Sequence, residues 1–375
     1  MQTITINRKA LVSNLELLKP VIDLKFKVPV LTCVEIKPQD NRVILRGTDL
    51  ENFVSLSIEA QCEASQALAI PYAQLLKALK GSKVIDVTLE PLAEEKIRVT
   101  LGELTLTIQG WDASSMPGNP AIAVDAWRDQ MLVSDFLHLV ARTRFLASPN
   151  NARYNLNAVY LEPSKRGLCM TATDGHRLSH ITGAALDLPK PLLVSVHTLD
   201  ALVKLAGKLP TDSTMTIAYQ DNIVRFVLPG NRVLTGRLVD GEFPDWRAVM
   251  PKDTKQTATV SGSAMMDILK AVSVCASDKH HGVKLALENH VKPACLTISA
   301  HSTENGDASQ SIPATFSNVE HPDIALGFQA PYLTDFLTLA GKSDVTIGLV
   351  DEVTAGTFHS VDESDWTYIV MPIRL

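Results

Sequence analysis

A chain of 375 residues, 46% hydrophobic and 20% charged, is too long for one ordinary core, and about 100–200 residues per domain predicts two or three. A net charge of −6 excludes an exterior coated with nucleic acid, although it leaves room for a local basic surface. No apolar run approaches the roughly 18–20 residues that cross a bilayer, and "MQTITINRKALVSNLELL" has no signal-peptide core, so a cytoplasmic protein without a membrane partner is expected.

In chain order, helical periodicity recurs in pairs. The first members are "NRKALVSNLELLKPV" (7–21), "VSDFLHLVARTRFLA" (133–147) and "SGSAMMDILKAVSVCAS" (261–277). The second members are "YAQLLKALKGSK" (72–83), "VHTLDALVKLAGKLP" (196–210) and "QAPYLTDFLTLAGKSD" (329–344). Each second helix closes on a glycine (Gly81, Gly207, Gly341), read as a C-cap that accepts the left-handed conformation. A strand-like alternation follows each: "KVIDVTLE", "STMTIAYQ" and "DVTIGLVD". Between the helices of each pair lie strands and a turn, with Thr48-Asp49 and Thr173-Asp174 at equivalent points. The pattern predicts three copies of one α+β domain, over 1–126, 127–253 and 254–375.

The stretch "CMTATDGHRLSH" (169–180) concentrates Asp174, His176 and Arg177 behind a glycine. No GxSxG elbow supplies a nucleophile for a hydrolytic triad, and HExxH, P-loop and GxGxxG signatures are missing from the sequence. His280, His281 and His290 have no Cys or acidic neighbours at ligand spacing. The five cysteines (Cys33, Cys62, Cys169, Cys275, Cys295) are scattered and never spaced CxxC, so they read as reduced, mostly buried thiols. No metal or cofactor is expected. Thr173-Asp174-Gly175 reads as a turn, with side chains bonding local backbone and glycine supplying the positive φ. The first copy, "GTDLE", has the same turn and no histidine.

"TATDGHRLSH", "RLVDGEFPDWRAVMPKD" (237–253), "YIVMPIRL" (368–375), "ARYNLNAVYLE" (152–162) and "RGTDLENF" together resemble the bacterial replicative DNA polymerase sliding clamp, the β-subunit family. The resemblance spans the chain and implies an α+β protein of three clamp-type domains, each with two helices packed on antiparallel sheets. It further implies a head-to-tail homodimer that forms a ring around duplex DNA, with helices lining the hole. Such a protein is a processivity factor and not an enzyme. The helical windows fit, since they gather Arg8, Lys9, Lys19, Lys77, Lys80, Arg142, Arg144, Lys204 and Lys208 in an acidic chain, although the third pair adds no net positive charge.

By the same resemblance, a groove between the second and third domains receives peptide tails of polymerases, the clamp loader and repair proteins. Carried over position by position, it comprises Leu156, Thr173, Gly175, His176, Arg177, Leu178, Pro244, Val249, Val353, Met371, Pro372, Ile373 and Arg374. Arg177 and Arg374 would hold peptide carbonyls, while Leu156, Met371 and Ile373 adapt around a Leu or Phe anchor. Ala248 departs from the family, which carries a longer basic side chain there. The resemblance also points to Lys25, Lys80 and Asn150 as DNA contacts; Lys77 is added from its helix face. Trp111, Val274 and Cys275 are expected in the dimer contact, with an ordinary core tryptophan as the other reading of Trp111. Two rival functions remain at this level: a second-copy or decoy clamp that binds tails but supports replication poorly, and an enzyme using Asp174 and His176.

Overall fold

The computed structural model describes residues 3–148, 154–183, 185–251, 256–277, 280–317 and 323–375. Among the described residues there are six α-helices: α1 (Arg8–Leu18), α2 (Tyr72–Lys80), α3 (Val133–Thr143), α4 (Val196–Ala206), α5 (Gly262–Val272) and α6 (Ala330–Ala340). Each starts at the residue after a strand: Ile4–Asn7, Leu68–Pro71, Trp127–Leu132, Leu192–Ser195, Gln256–Ser261 and Ile324–Gln329. The last strand residue doubles as the helix cap in three of them. Asn7, Ser195 and Ser261 accept from the N–H of Ala10, Thr198 and Ala264 at 3.1, 3.1 and 3.4 Å, satisfying donors that the first helical turn leaves unpaired. The buried stripe of α1 is the predicted Leu11, Leu15 and Leu18; on α2 helix-face reasoning gives Leu75, Leu76 and Leu79, and the structure buries Leu75 and Leu79 with Tyr72 while Leu76 is half-buried.

The glycine C-caps need correction. Gly341 has φ +68°, but Gly81 and Gly207 stay right-handed at −73° and −58°. The Gly81 N–H donates to the Lys77 carbonyl at 3.1 Å, so α2 simply closes one more helical turn. The basic bias is also displaced: Lys19, Arg144, Lys208 and Lys342 lie beyond the helix ends, where cations complement the exposed carbonyls.

The chain packs as two compact units, one of residues 1–137 with 184–240 and the other of 138–183 with 241–375. The first is built on an antiparallel sheet in the order Leu104–Gln109, Lys96–Leu101, Asp86–Pro91, Ile4–Asn7, Asn52–Cys62, Arg232–Arg237, Ile223–Leu228, Thr214–Gln220 and Trp127–Leu132. Strands Cys33–Gln39, Arg42–Thr48 and Leu68–Pro71 branch from it. In the second unit, Arg177–Thr182 lies between Gly167–Thr173 and Glu363–Val370, and a separate sheet runs Gly306–Pro313, Cys295–Ser302, Gly282–Glu288, Ile324–Gln329.

One rule connects the repeats. The strand that follows the Thr-Asp turn of the first copy, Asn52–Cys62, pairs with the last strand of the second, Arg232–Arg237, with Asn52 opposite Gly236. The strand after the turn of the second copy pairs with the last strand of the third, with Arg177 opposite Val370. The turn therefore sits where one copy's sheet passes into the next.

Candidate functional site

The turn itself is fully bonded. Thr173 Oγ1 donates to the Arg177 carbonyl at 2.7 Å and accepts from the Gly175 N–H at 3.1 Å. Asp174 Oδ1 accepts from the N–H groups of His176 and Arg177 at 2.9 and 3.0 Å, while Oδ2 accepts from Arg177 Nε at 2.9 Å. Gly175, at φ +92°, supplies the left-handed step. Thr48 and Asp49 make the same bonds to the N–H groups of Leu50, Glu51 and Asn52, so the motif is a structural turn in both places. Asp174 thus uses both oxygens within the turn, in bonds to backbone N–H groups and to the Arg177 guanidinium.

Arg177 is largely covered and committed. Its Nη1 donates to Asp335 on α6 at 2.7 Å and to the Tyr368 hydroxyl at 3.2 Å, and its guanidinium stacks 4.2 Å from the Tyr332 ring centre. Burial works to lower its pKa, but Tyr368, Asp335 and Asp174 more than offset this and raise it. The side chain expected to hold peptide carbonyls lines a cavity beside the turn and also fastens the turn to α6 and to the strand Glu363–Val370.

Beside the turn, the short 3-10 helix Trp246–Val249 begins where the Asp245 carboxylate accepts from the Arg247 N–H at 3.1 Å. Trp246 packs with Leu178, Ala355 and Ile369, flanked by Tyr160, Phe243 and Met250. His180 stacks on the Trp246 indole at 4.2 Å, with its ring nitrogens 2.9 and 3.2 Å from the hydroxyls of Thr171 and Thr182. Burial, helped by the charge of Arg247, pushes His180 down to about 4, so it is neutral at pH 7.

Above this floor lies a cavity of about 140 Å³, enough for one large apolar side chain. The structure brings Leu156, Thr173, Gly175, His176, Arg177, Leu178, Pro244, Val249 and Met371 together around it. Asp245, Trp246 and Ile369 also line it and were missed in the sequence. Their signal was available, since Trp246 lies between Pro244 and Val249, and Ile369 alternates with Met371.

Four expected residues are not part of the cavity lining. Val353 is 74% exposed, two positions before the buried Ala355. Pro372 is half-buried, and the Ile373 N–H donates to the Gly327 carbonyl at 2.8 Å. Arg374 lines a different cavity, of about 670 Å³, with Lys284 and His301. The tail Met371–Leu375 thus runs from the cavity onto the sheet carrying Gly282 and Gly327, whose missing side chains leave room for Leu375.

Elsewhere, Lys25, Lys77 and Lys80 are exposed, and Lys80 pairs with Glu16 at 2.7 Å. Asn150 lies outside the described residues. Trp111 is 46% exposed, which removes the core reading; Val274 is exposed and Cys275 half-buried. Among the described residues no three His, Cys, Asp or Glu side chains cluster as metal ligands, and no helix is long and apolar enough to cross a membrane.

Family models of the DNA polymerase III beta subunit match the chain in order: the N-terminal domain over 2–120, the central domain over 130–245 and the C-terminal domain over 247–374. The Beta sliding clamp of Pseudomonas aeruginosa is 28% identical over 387 residues, covering 99% of both chains. A crystal structure of the DNA polymerase III subunit beta from that organism superimposes with a TM-score of 0.90 at 25% identity, covering 100% of each chain. A sliding clamp from Bartonella birtlesii, solved bound to griselimycin, has the same fold, with a TM-score of 0.91 at 24% identity. With all three domains matched in sequence order over nearly its whole length, this chain belongs to the DNA polymerase III beta subunit family, the bacterial sliding clamps.

Proposed function

We propose that two copies of this protein, each of three domains (1–126, 127–253, 254–375), join head to tail into a ring that encloses duplex DNA. The ring tethers polymerases, the clamp loader and repair proteins through their peptide tails. The single observation that carries this reading is the rule joining the repeats. Twice within the chain, the strand after a turn pairs with the last strand of the next copy. Among the described residues the third such strand, Gly306–Pro313, is a sheet edge, and so is the last strand of the first copy, Leu104–Gln109. The same antiparallel junction made between two chains uses both edges and closes the ring. Unpaired edges of this kind otherwise invite uncontrolled association. Exposed Leu104, Val274 and Trp111 give that junction apolar surface, with Cys275 alongside.

The mechanism is topological and involves no chemical step. Exposed Lys25, Lys77 and Lys80 make loose, sequence-independent phosphate contacts; Asn150 is placed with them by family resemblance. Retention comes from enclosure, so the ring slides. The groove takes an apolar anchor from each partner tail, and tethering raises the effective concentration enough for modest affinities to suffice. No nucleotide-binding motif occurs in the chain, so an ATP-driven loader opens the ring.

Retention on DNA tests the reading. The protein is loaded onto nicked circular DNA with a compatible loader and ATP, washed at high salt, and the DNA is then linearised. Salt-resistant retention that is lost on cutting is expected. Loss in the salt wash, with the loader active on another clamp, would leave only an electrostatic binder.

A further inference from the structure

The cavity that holds Arg374 repeats the construction of the groove one copy further along the chain. In the groove, Leu156 stands two residues before the strand Ala158–Ser164, and residues 173–178 form the turn between the next two strands. Pro244–Val249 follow the last strand of the second copy, Arg232–Arg237, and Met371 ends the strand that the third copy adds. In the larger cavity, of about 670 Å³, His280 stands two residues before Gly282–Glu288, and His301 and Asp307 flank the turn between the next two strands. Arg374 and Leu375 follow the last strand of the third copy, Glu363–Val370. Three walls thus correspond. The place of the fourth, beside Gly306–Pro313, is where the ring reading puts Leu104–Gln109 of a second copy. The groove shows that such a cavity stays open when the strand pairing beside it is made.

The chemistry of the two cavities differs. Here Ser299 lies between Lys284 and Ser309, and His301 lies opposite Asp307, so that these side chains share one face of the sheet. Val283, Leu285 and Ile298 take the other face and are buried. Leu375 packs over Gly282 and, with Ala300 and Ala308, gives the lining an apolar part. Lys284 and Arg374 are exposed, and neither has an ion-pair partner among the described residues. Asp307 is bonded to His301, and His280 adds a second imidazole. Asp278 and Lys279 lie outside the described residues and carry opposite formal charges.

We propose that this cavity is a second docking site, for an extended acidic segment of a partner protein that carries glutamate or aspartate beside a small apolar side chain. The fourth wall rests on the ring reading, while the rest of the lining belongs to one chain. Lys284 and Arg374 offer the carboxylates charge-assisted bonds, and Leu375 with the two alanines receives the apolar group. A nucleic-acid backbone would use the cations and leave that apolar surface uncovered.

Three peptides test this, each with one Ala-Leu pair flanked on both sides by two glutamates, two serines or two lysines. Binding to the full-length protein is followed at the imidazole resonances of His280 and His301, which line this cavity, and at the Met371 methyl, which lines the groove. At low salt the glutamate peptide should move both imidazoles and bind about three- to tenfold tighter than the serine peptide, with the lysine peptide weaker still. The difference should fall below about twofold near 0.5 M salt. The double variant Lys284→Gln/Arg374→Gln should lose most of the glutamate preference. Equal affinities, a response confined to Met371, or imidazoles moved by a DNA duplex and not by the glutamate peptide would each overturn the proposal. So would imidazoles that move on dilution from dimer to monomer while the dimer ignores the peptide, since the second copy would then be the occupant. Sedimentation of the same samples tests the ring separately: a protein that stays monomeric at every concentration overturns the dimer and leaves the peptide result to stand on its own.

Discussion

His180 should make the stability of the groove region depend on acid in a predictable way. Its pKa falls from an ordinary 6.5 to about 4 because burial between Trp246 and the Thr171 and Thr182 hydroxyls, with Arg247 nearby, disfavours the imidazolium. As pH drops, the unfolded chain therefore takes up this proton first. The contribution is complete above about pH 6.5 and is lost between there and about pH 4. At pH 5 the difference between 6.5 and about 4 amounts to about 2 kcal/mol from this one side chain. Urea unfolding followed by tryptophan fluorescence at pH 7 and pH 5 would measure it. His180→Gln, which keeps a hydrogen-bonding side chain but cannot protonate, should lose about 2 kcal/mol less than the parent over that interval. An imidazole NMR titration gives the direct value. A His180 that titrates near 6.5 in the folded protein, or equal acid losses in parent and variant, would refute the reasoning.

Other substitutions probe the remaining joints. Arg177→Met leaves Asp174, Asp335 and the Tyr368 hydroxyl without their shared donor, and should lower stability by about 2–4 kcal/mol in a denaturant melt. Arg177→Lys should recover little, since an ammonium cannot fork to three acceptors and stack on Tyr332. In Gly327→Ala the new Cβ would stand 2.6 Å from the Ile373 carbonyl oxygen, so the tail should detach and the Ile373 amide should exchange faster with solvent. Unchanged exchange there would mean that the tail is held by something else. Val274→Glu places a charge on a side chain that is 74% exposed in one chain, and it should weaken the dimer about 10–100-fold by sedimentation. An unaltered mass distribution would remove Val274 from the interface.

The helices were legible because a 3.6-residue apolar stripe is written locally; Leu11, Leu15 and Leu18 need no distant partner to be recognised. The Thr-Asp turn was legible for the same reason, since its acceptors and donors lie within four residues. What Arg177 does was not legible. Its deciding partners, Asp335 and Tyr368, lie 158 and 191 residues away, and only the fold brings them together. The place of Arg374 beside another cavity was not legible either, because the path of the tail depends on two glycines on distant strands. The C-cap glycines misled for a different reason: the residue type permits a positive φ without requiring one.

The two junctions inside the chain are built from the same positions with side chains of different size. At the first junction the residue closing the turn is Asn52, buried, and Thr198 of α4 donates to its side chain at 2.7 Å. Opposite Asn52 stands Gly236, where even a Cβ would fall 2.6 Å from Thr198. Small side chains let helix and strands meet, and the junction is filled. At the second junction the same three positions hold Arg177, Tyr332 of α6 and Val370. Larger groups there are joined by stacking and ion pairs, while the turn residues Gly175 and His176 are exposed as Leu50 and Glu51 are at the first junction. The segment Pro244–Val249 and Met371 then supply walls on either side. Substituting Arg177 by Asn and Tyr332 by Thr together should therefore loosen the turn and cost the groove peptide affinity, because Tyr332 stacks on the guanidinium that lines the cavity.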